Sequence, residues 1–237
     1  MKALEATLLS YAAQHLPALP SDYVWKFDPA VVHTDFGVTV TGATWYDKTR
    51  ALKRALSQVW TSRPSERSAL ADYAVRVWGG VKRNAPTTID GYVQTVSHGG
   101  VPRNHKGIAS WSKVAAFSDP GKHAIFDARV SFSLNAIQWL SAGGQCWWFP
   151  QLAGRNKLLG ETWPVLKTHA KVQKWTVVDS TQVYPTYLAL LKSVSRSLHK
   201  DIDDVEMLLF AKAEDLARAV NAANSNVGNG GGPPATT

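Results

Sequence analysis

Apolar positions recur every three or four residues through most of the chain, a spacing that predicts helices. In "MKALEATLLSYAAQHL", Leu4, Leu8, Tyr11 and Ala12 share a face, and "PALPSD" ends the helix. Residues 31–42, "VVHTDFGVTVTG", alternate β-branched with polar residues and predict a strand or extended edge. The helical period then returns. "DKTRALKRALSQVW" places Leu52, Ala55, Leu56 and Val59 on one face, with Lys48, Arg50, Lys53 and Arg54 elsewhere. "SERSALADYAVRVW" repeats the scheme with Leu70, Tyr73, Ala74 and Val77 until Gly79 and Gly80 stop it.

Further along, Thr87 and Asp90 are spaced as a capping box at the head of "TTIDGYVQTV". Helices are expected over "GIASWSKVAAF" and, after the turn "SDPGKH", over "DARVSFSLNAIQWL". The stretch "GGQCWWFPQLAGRNKLLGETWP" is aromatic and reads as loop, whereas "TYLALLKSVSRSLH" and "DDVEMLLFAKAEDLARAV" predict one helix each. No internal repeat is visible. The expected architecture is mostly α: two helical lobes with a small extended element near the N-terminus. Residues 1–47 would form an N-terminal helix and extended segment packed on the core, 48–222 the helical domain, and 223–237 a disordered tail.

With 237 residues and 45% hydrophobic composition, the chain can bury a substantial core. No apolar run spans a membrane and no cleavable leader is evident, so a soluble, cytoplasmic, monomeric protein without a membrane partner is expected. The single cysteine, Cys146, can make neither an internal disulfide nor a structural zinc site. His33, His98, His123 and His169 lack metal-ligand spacing, so neither a metal nor another cofactor is expected. The glycine pairs in "VWGG" and "SHGG" lack a phosphate-loop pattern, which speaks against nucleotide hydrolysis.

Charge changes the picture. The net charge is +8, and from Lys48 to Lys113 there are 12 Lys and Arg against Glu66, Asp72 and Asp90, so this segment carries 12 − 3 = +9. Such a concentration is the footprint of a polyanion partner, most often nucleic acid, although a solvated face would look similar. Lys82, Arg83, Arg103, His105, Lys106 and Arg129 are candidate DNA contacts.

Two residues could carry chemistry. On a helix from Ile108 to Phe117, Lys113 shares its face with Ala109, Ala116 and Phe117, and a desolvated lysine can become a neutral nucleophile. A snorkelling surface lysine fits the same pattern. Asp127 stands immediately before the apolar period of Val130, Leu134 and Ile137, where a helix N-cap alone would account for it.

Taken together, Gly107, "SKVA" with Lys113, and "AIFDARV" with Asp127 at a helix head resemble the core of the helix-hairpin-helix DNA glycosylases, particularly the 8-oxoguanine glycosylase branch. The close match covers about 25 residues. It implies a two-lobed helical fold with a cleft, and excision of a modified base flipped from double-stranded DNA, leaving an abasic site. Lys113 would attack C1′ or assist a water, and Asp127 would stabilise charge developing on the sugar. Trp111, Phe126 and Trp148 are candidates for the base pocket, and Asn84 resembles the polar wedge that fills the vacated gap. Bacterial antiviral members of this fold act on glucosylated hydroxymethylcytosine in phage DNA, which makes that base a candidate alongside oxidised guanine. A non-catalytic DNA-binding module would retain the basic segment and need neither Lys113 nor Asp127.

Overall fold

The computed structural model describes residues 1–102, 104–141 and 144–228, and it is mostly α. The helices are α1 (Lys2–His15), α2 (Leu19–Asp22), α3 (Pro29–Phe36), α4 (Trp45–Ser62), α5 (Arg67–Asp72) and α6 (Pro86–Ser97). They continue with α7 (Ile108–Ser118), α8 (Ala128–Leu140), α9 (Lys157–Val172), α10 (Val183–Ser197), α11 (Ile202–Ala211) and α12 (Ala213–Gly228). Two parallel two-residue strands, β1 (Trp147–Trp148) and β2 (Thr176–Val177), pair Trp147 with Thr176 and Trp148 with Val177. Among the described residues no helix is long and apolar enough to cross a membrane.

Several boundaries differ from the sequence reading. The extended element expected over 31–42 is instead α3 followed by irregular chain. Local stop and start signals override the β-branched run here: Asp28 accepts a hydrogen bond from Ala30 N, Pro29 opens the helix, and Gly37 closes it at φ 65°. Val32 and Phe36, four residues apart, then enter the core. Thr87 and Asp90 do not cap α6, which begins at Pro86; Asp90 accepts from Ser68 Oγ at 3.0 Å. The capping box lies at the head of α4, where Thr44 and Asp47 exchange backbone and side-chain hydrogen bonds.

Part of the region read as loop is α9. Its buried stripe is Leu159, Thr162, Trp163, Leu166 and Ala170, but Pro164 and Gly160 mask the helical signal. The segment read as one helix from Asp203 to Val220 divides at Lys212 into α11 and α12, and α12 extends through residues 223–228 of the expected tail. The remainder of that tail, 229–237, lies outside the described residues. The end of α5 widens into a π-helical turn, Tyr73–Trp78, which turns Val77 outward and Trp78 inward.

Two clusters of buried apolar residues form the core. One gathers side chains from α1, α8, α9, α10, α11 and α12. The other gathers them from α3, α4, α5, the π-helical turn and α6. Helix α7 is shared: Ile108, Trp111 and Ala115 belong to the first cluster, while Val114, Ala116 and Phe117 belong to the second. A helix walled on all sides must be apolar all round, and from Ser110 to Ser118 every residue of α7 is buried, Lys113 included.

Thr44→Ala is expected to lower stability by about 1 kcal/mol through loss of the α4 cap. Thr87→Ala, at an exposed position that caps nothing, should leave the denaturant midpoint unchanged. Equilibrium chemical denaturation of the two variants checks both outcomes.

Candidate functional site

Lys113 lies where α7 passes between the two apolar clusters. The residue is 5% exposed, and its Nζ donates to the Ala109 carbonyl at 2.8 Å. Gly79 packs directly on the lysine stem: a Cβ at that position would sit 2.7 Å from Lys113 Cδ and 2.8 Å from Cε. The glycine therefore does more than end the preceding helix; it admits the close approach of the amine-bearing chain. Gly107, at φ 73°, starts α7, and a Cβ there would meet the Tyr92 hydroxyl at 2.7 Å.

Asp127 caps α8. Its Oδ1 accepts from Arg129 N at 3.0 Å and Val130 N at 3.1 Å, and the helix N-terminus favours its negative charge. The segment leading to it is pinned on both sides. Tyr184 donates to the Ala124 carbonyl at 3.0 Å and Tyr187 to the Ile125 carbonyl at 2.7 Å. Ser112, adjacent to Lys113, accepts from Phe126 N at 3.0 Å. The lysine-bearing helix and the aspartate-bearing segment are thus laced together, although no carboxylate among the described residues lies within 4.0 Å of the Lys113 amine. The cap and the catalytic assignment of Asp127 are compatible, because capping uses one oxygen.

An ionic cluster between α4 and α11, buried at Lys53, Glu206, Asp203 and Asp204, is absent from the sequence reading. Lys53 Nζ meets Glu206 Oε2 at 2.5 Å, with both side chains almost fully enclosed. Arg50 pairs with Asp201, Asp203 and Asp204, and the Tyr46 hydroxyl donates to Asp204 at 2.5 Å. The placement of Lys53 away from the apolar face is therefore corrected: Thr49 and Lys53 fall within the buried stripe of α4, whereas Arg50 is half-buried beside it. The available signal was the i, i+4 spacing of Thr49 and Lys53 beside Leu52 and Leu56.

Burial dominates the titration of these groups. It pushes the Lys113 amine below the ordinary lysine range, against the opposing influence of Asp127 and Glu206. It pushes the Glu206 carboxyl up to about 7, with Lys53 opposing. Asp203 is raised for the same reason, against Lys53 and Arg50.

The remaining expected site residues are scattered. Lys82 and Arg83 are exposed on the loop just after Gly79 and Gly80, where Arg155 also donates to the Gly80 carbonyl at 3.2 Å. Lys106 is exposed and His105 half-buried in the α6–α7 connection; Arg103 lies outside the described residues. Asn84 is tethered: its amide donates to Ser110 Oγ at 2.8 Å, and its carbonyl accepts from Arg76. Arg129 is paired with Glu214 at 2.8 Å and lies over the Phe210 ring, so its charge is already engaged.

Two expected pocket aromatics are corrected to core. Trp111 packs edge-on against Tyr184 and Phe126 against Tyr187, and each is at most 2% exposed. Trp111 lies on α7 and Phe126 in the segment leading to α8, and both meet tyrosines of α10. Trp148 is half-buried against Trp163 and Trp175. A separate cavity of about 290 Å³ is lined by Gln138, Trp139, Cys146, His169 and Trp175. It lies at the C-terminal end of α8, whereas Asp127 stands at the opposite end.

A scan against protein-family models, a search of curated proteins and a search of solved structures each return no match. The chemistry therefore rests on the residues themselves: a desolvated amine, a carboxylate fixed at a helix N-terminus, and exposed cations on the adjoining loop.

The lowered Lys113 pKa has a sign that can be worked out. Between its depressed folded value and the ordinary 10.5, the unfolded chain binds more protons at this site, so the Lys113 contribution to stability rises with pH. Lys113→Met should therefore be more stable than wild type near neutrality, with the advantage shrinking as pH rises towards 10. Denaturant unfolding of both proteins from pH 7 to 10 tests this; an advantage independent of pH would contradict it.

Proposed function

We propose that the chain is a DNA glycosylase, with Lys113 as the nucleophile and Asp127 as the stabilising carboxylate. The carrying observation is the placement of a desolvated lysine on α7 within the field of an aspartate held at the head of α8. A neutral amine has the lone pair that nucleophilic attack requires, and burial favours the neutral form.

In this reading the Lys113 Nζ lone pair attacks the deoxyribose C1′ as the N-glycosidic bond breaks. The base leaves with the bonding electrons and is protonated. The adduct nitrogen then gives one proton to O4′ as the C1′–O4′ bond breaks with its electrons on oxygen, and the nitrogen lone pair forms a protonated imine between Lys113 and C1′. Asp127 stabilises the positive charge that develops at the sugar. The two apolar clusters meeting at α7 support a two-lobed arrangement with the reactive amine at the seam. Lys82 and Arg83, on the loop that follows the glycine touching Lys113, supply phosphate contacts to double-stranded DNA.

The base is a modified one. Purified protein and its Asp127→Asn variant would be incubated with three DNAs: unmodified, containing oxidised guanine, and containing glucosylated hydroxymethylcytosine. Alkaline cleavage then reveals abasic sites. Breaks in one modified DNA, lost in Asp127→Asn, are expected; no breaks in any, with DNA still bound, would leave a non-catalytic DNA-binding module. In the same preparations, replacing Lys82 and Arg83 by alanine should reduce the log–log salt slope of DNA binding by about two, since each phosphate contact contributes about 0.9.

A further inference from the structure

The cavity at the C-terminal end of α8 takes no part in the chemistry at Lys113. Trp139 in its wall and Asp127 stand at opposite ends of α8, about 18 Å apart at 1.5 Å per residue. Its volume of about 290 Å³ far exceeds the roughly 30 Å³ share of one water. Three aromatic rings line it. His169 lies nearly perpendicular to both indoles, with centroids 5.6 Å from Trp139 and 6.0 Å from Trp175.

Separate pieces of chain bring these rings together. Trp139 is in the last turn of α8 and His169 in the last turn of α9. Trp175 arrives by the turn after α9, where Lys174 adopts φ 51° and Trp175 N donates to the Ala170 carbonyl at 2.9 Å. Gln138, also in the wall, is fully engaged: its amide donates to the Leu134 and Trp147 carbonyls at 2.9 and 2.8 Å and accepts from Trp147 N at 2.7 Å. The rings are not. Both indoles are only half-buried, and the enclosed Trp139 N–H has no acceptor among the described residues, a costly omission unless a ligand supplies one. Burial holds His169 below the ordinary histidine range, so near neutrality its ring offers one donor and one acceptor.

Acids are scarce around the cavity. Between Asp127 and Asp179 the sequence contains one carboxylate, Glu161, which pairs with Lys157. Lys167, Lys171 and Lys174 alternate with the lining residues His169, Gln173 and Trp175; all three lysines are exposed, and none is in an ion pair among the described residues. A half-buried π face, an unused donor and cations without counterions match the needs of an unstacked nucleotide: a surface for the base, a partner for its edge and charge for its phosphates.

We propose that this cavity is a nucleic-acid site separate from the Lys113 centre. It takes one unstacked base of a single-stranded segment against Trp139 and Trp175, with the flanking phosphates on Lys171 and Lys174. A free nucleotide carries the same chemistry without the neighbouring phosphates. The site needs neither Lys113 nor Asp127, so it can stand if the glycosylase reading fails and fail if that reading stands.

The full chain labelled with 5-fluorotryptophan would be titrated by ¹⁹F NMR with a short oligothymidylate and, separately, with thymidine monophosphate. Trp139→Phe and Trp175→Phe assign the two resonances. Both should move with the strand, and should still do so after Lys82 and Arg83 are replaced by alanine. In fluorescence anisotropy with the labelled strand, Trp175→Ala should weaken binding about tenfold, the size of one lost base–aromatic stack. Replacing Lys171 and Lys174 by alanine should lower the log–log salt slope by about 1.4, since each single-strand phosphate contact contributes about 0.7. Should Trp175→Ala fail to fold, the ¹⁹F shifts of the unsubstituted protein and the lysine variant decide. Resonances unmoved at saturating strand overturn the proposal, as do shifts that vanish with Lys82 and Arg83. Shifts as large with the monophosphate as with the strand overturn the single-strand assignment and give the site to free nucleotides.

Discussion

The contact on which the rest of the structure depends is the ion pair between Lys53 and Glu206, 2.5 Å apart and shut away from water. It crosses from α4 to α11, and therefore from one apolar cluster to the other. Neither charge tolerates being left alone in that setting, so the two helices must keep their register if both are to remain satisfied. Arg50, one turn earlier on α4, repeats the link to Asp203 and Asp204. Helix α7 lies between the same two apolar clusters. Burial of α7 there desolvates Lys113, and that environment makes its amine a candidate nucleophile.

The pairing also redistributes the charge. Among the described residues, at least five of the twelve cations between Lys48 and Lys113 are matched by acids: Arg50, Lys53 and Arg54 by the start of α11, and Arg63 and Arg76 by near neighbours. Part of the segment's excess is thus structural: Arg50, Lys53 and Arg54 are offset by carboxylates some 150 residues further along the chain. What remains for a polyanion is local and better placed. Lys82 and Arg83 are exposed on the loop that leaves Gly79, and Gly79 is in contact with Lys113. The cations best suited to meet phosphate adjoin the proposed chemistry.

The parts of this organisation legible in the sequence were those written locally. The helical period of α7 and α8, the aspartate at the head of α8 and the glycines closing the segment before Val81 are all properties of neighbouring residues. Lys113 stood out because small apolar residues surround it within one helix. By contrast, α3 was hidden because its valines and threonine favour strands, while its cap residues Asp28 and Gly37 decided the outcome. Helix α9 was hidden by Pro164. The Lys53–Glu206 pair was illegible because its meaning depends on a partner 153 positions away; taken alone, each residue resembles a solvated helix charge. Trp111 and Phe126 show the same limit, since their neighbours Tyr184 and Tyr187 come from a distant helix.

The central claim is that the Lys113 amine forms a covalent bond to the sugar whose base is removed. Borohydride trapping on DNA containing glucosylated hydroxymethylcytosine or oxidised guanine, followed by peptide mass spectrometry, tests this most directly. The expected result is a reduced protein–DNA adduct mapping to Lys113 and absent from Lys113→Met. Abasic sites without any trapped complex, or an adduct at another residue, would contradict it.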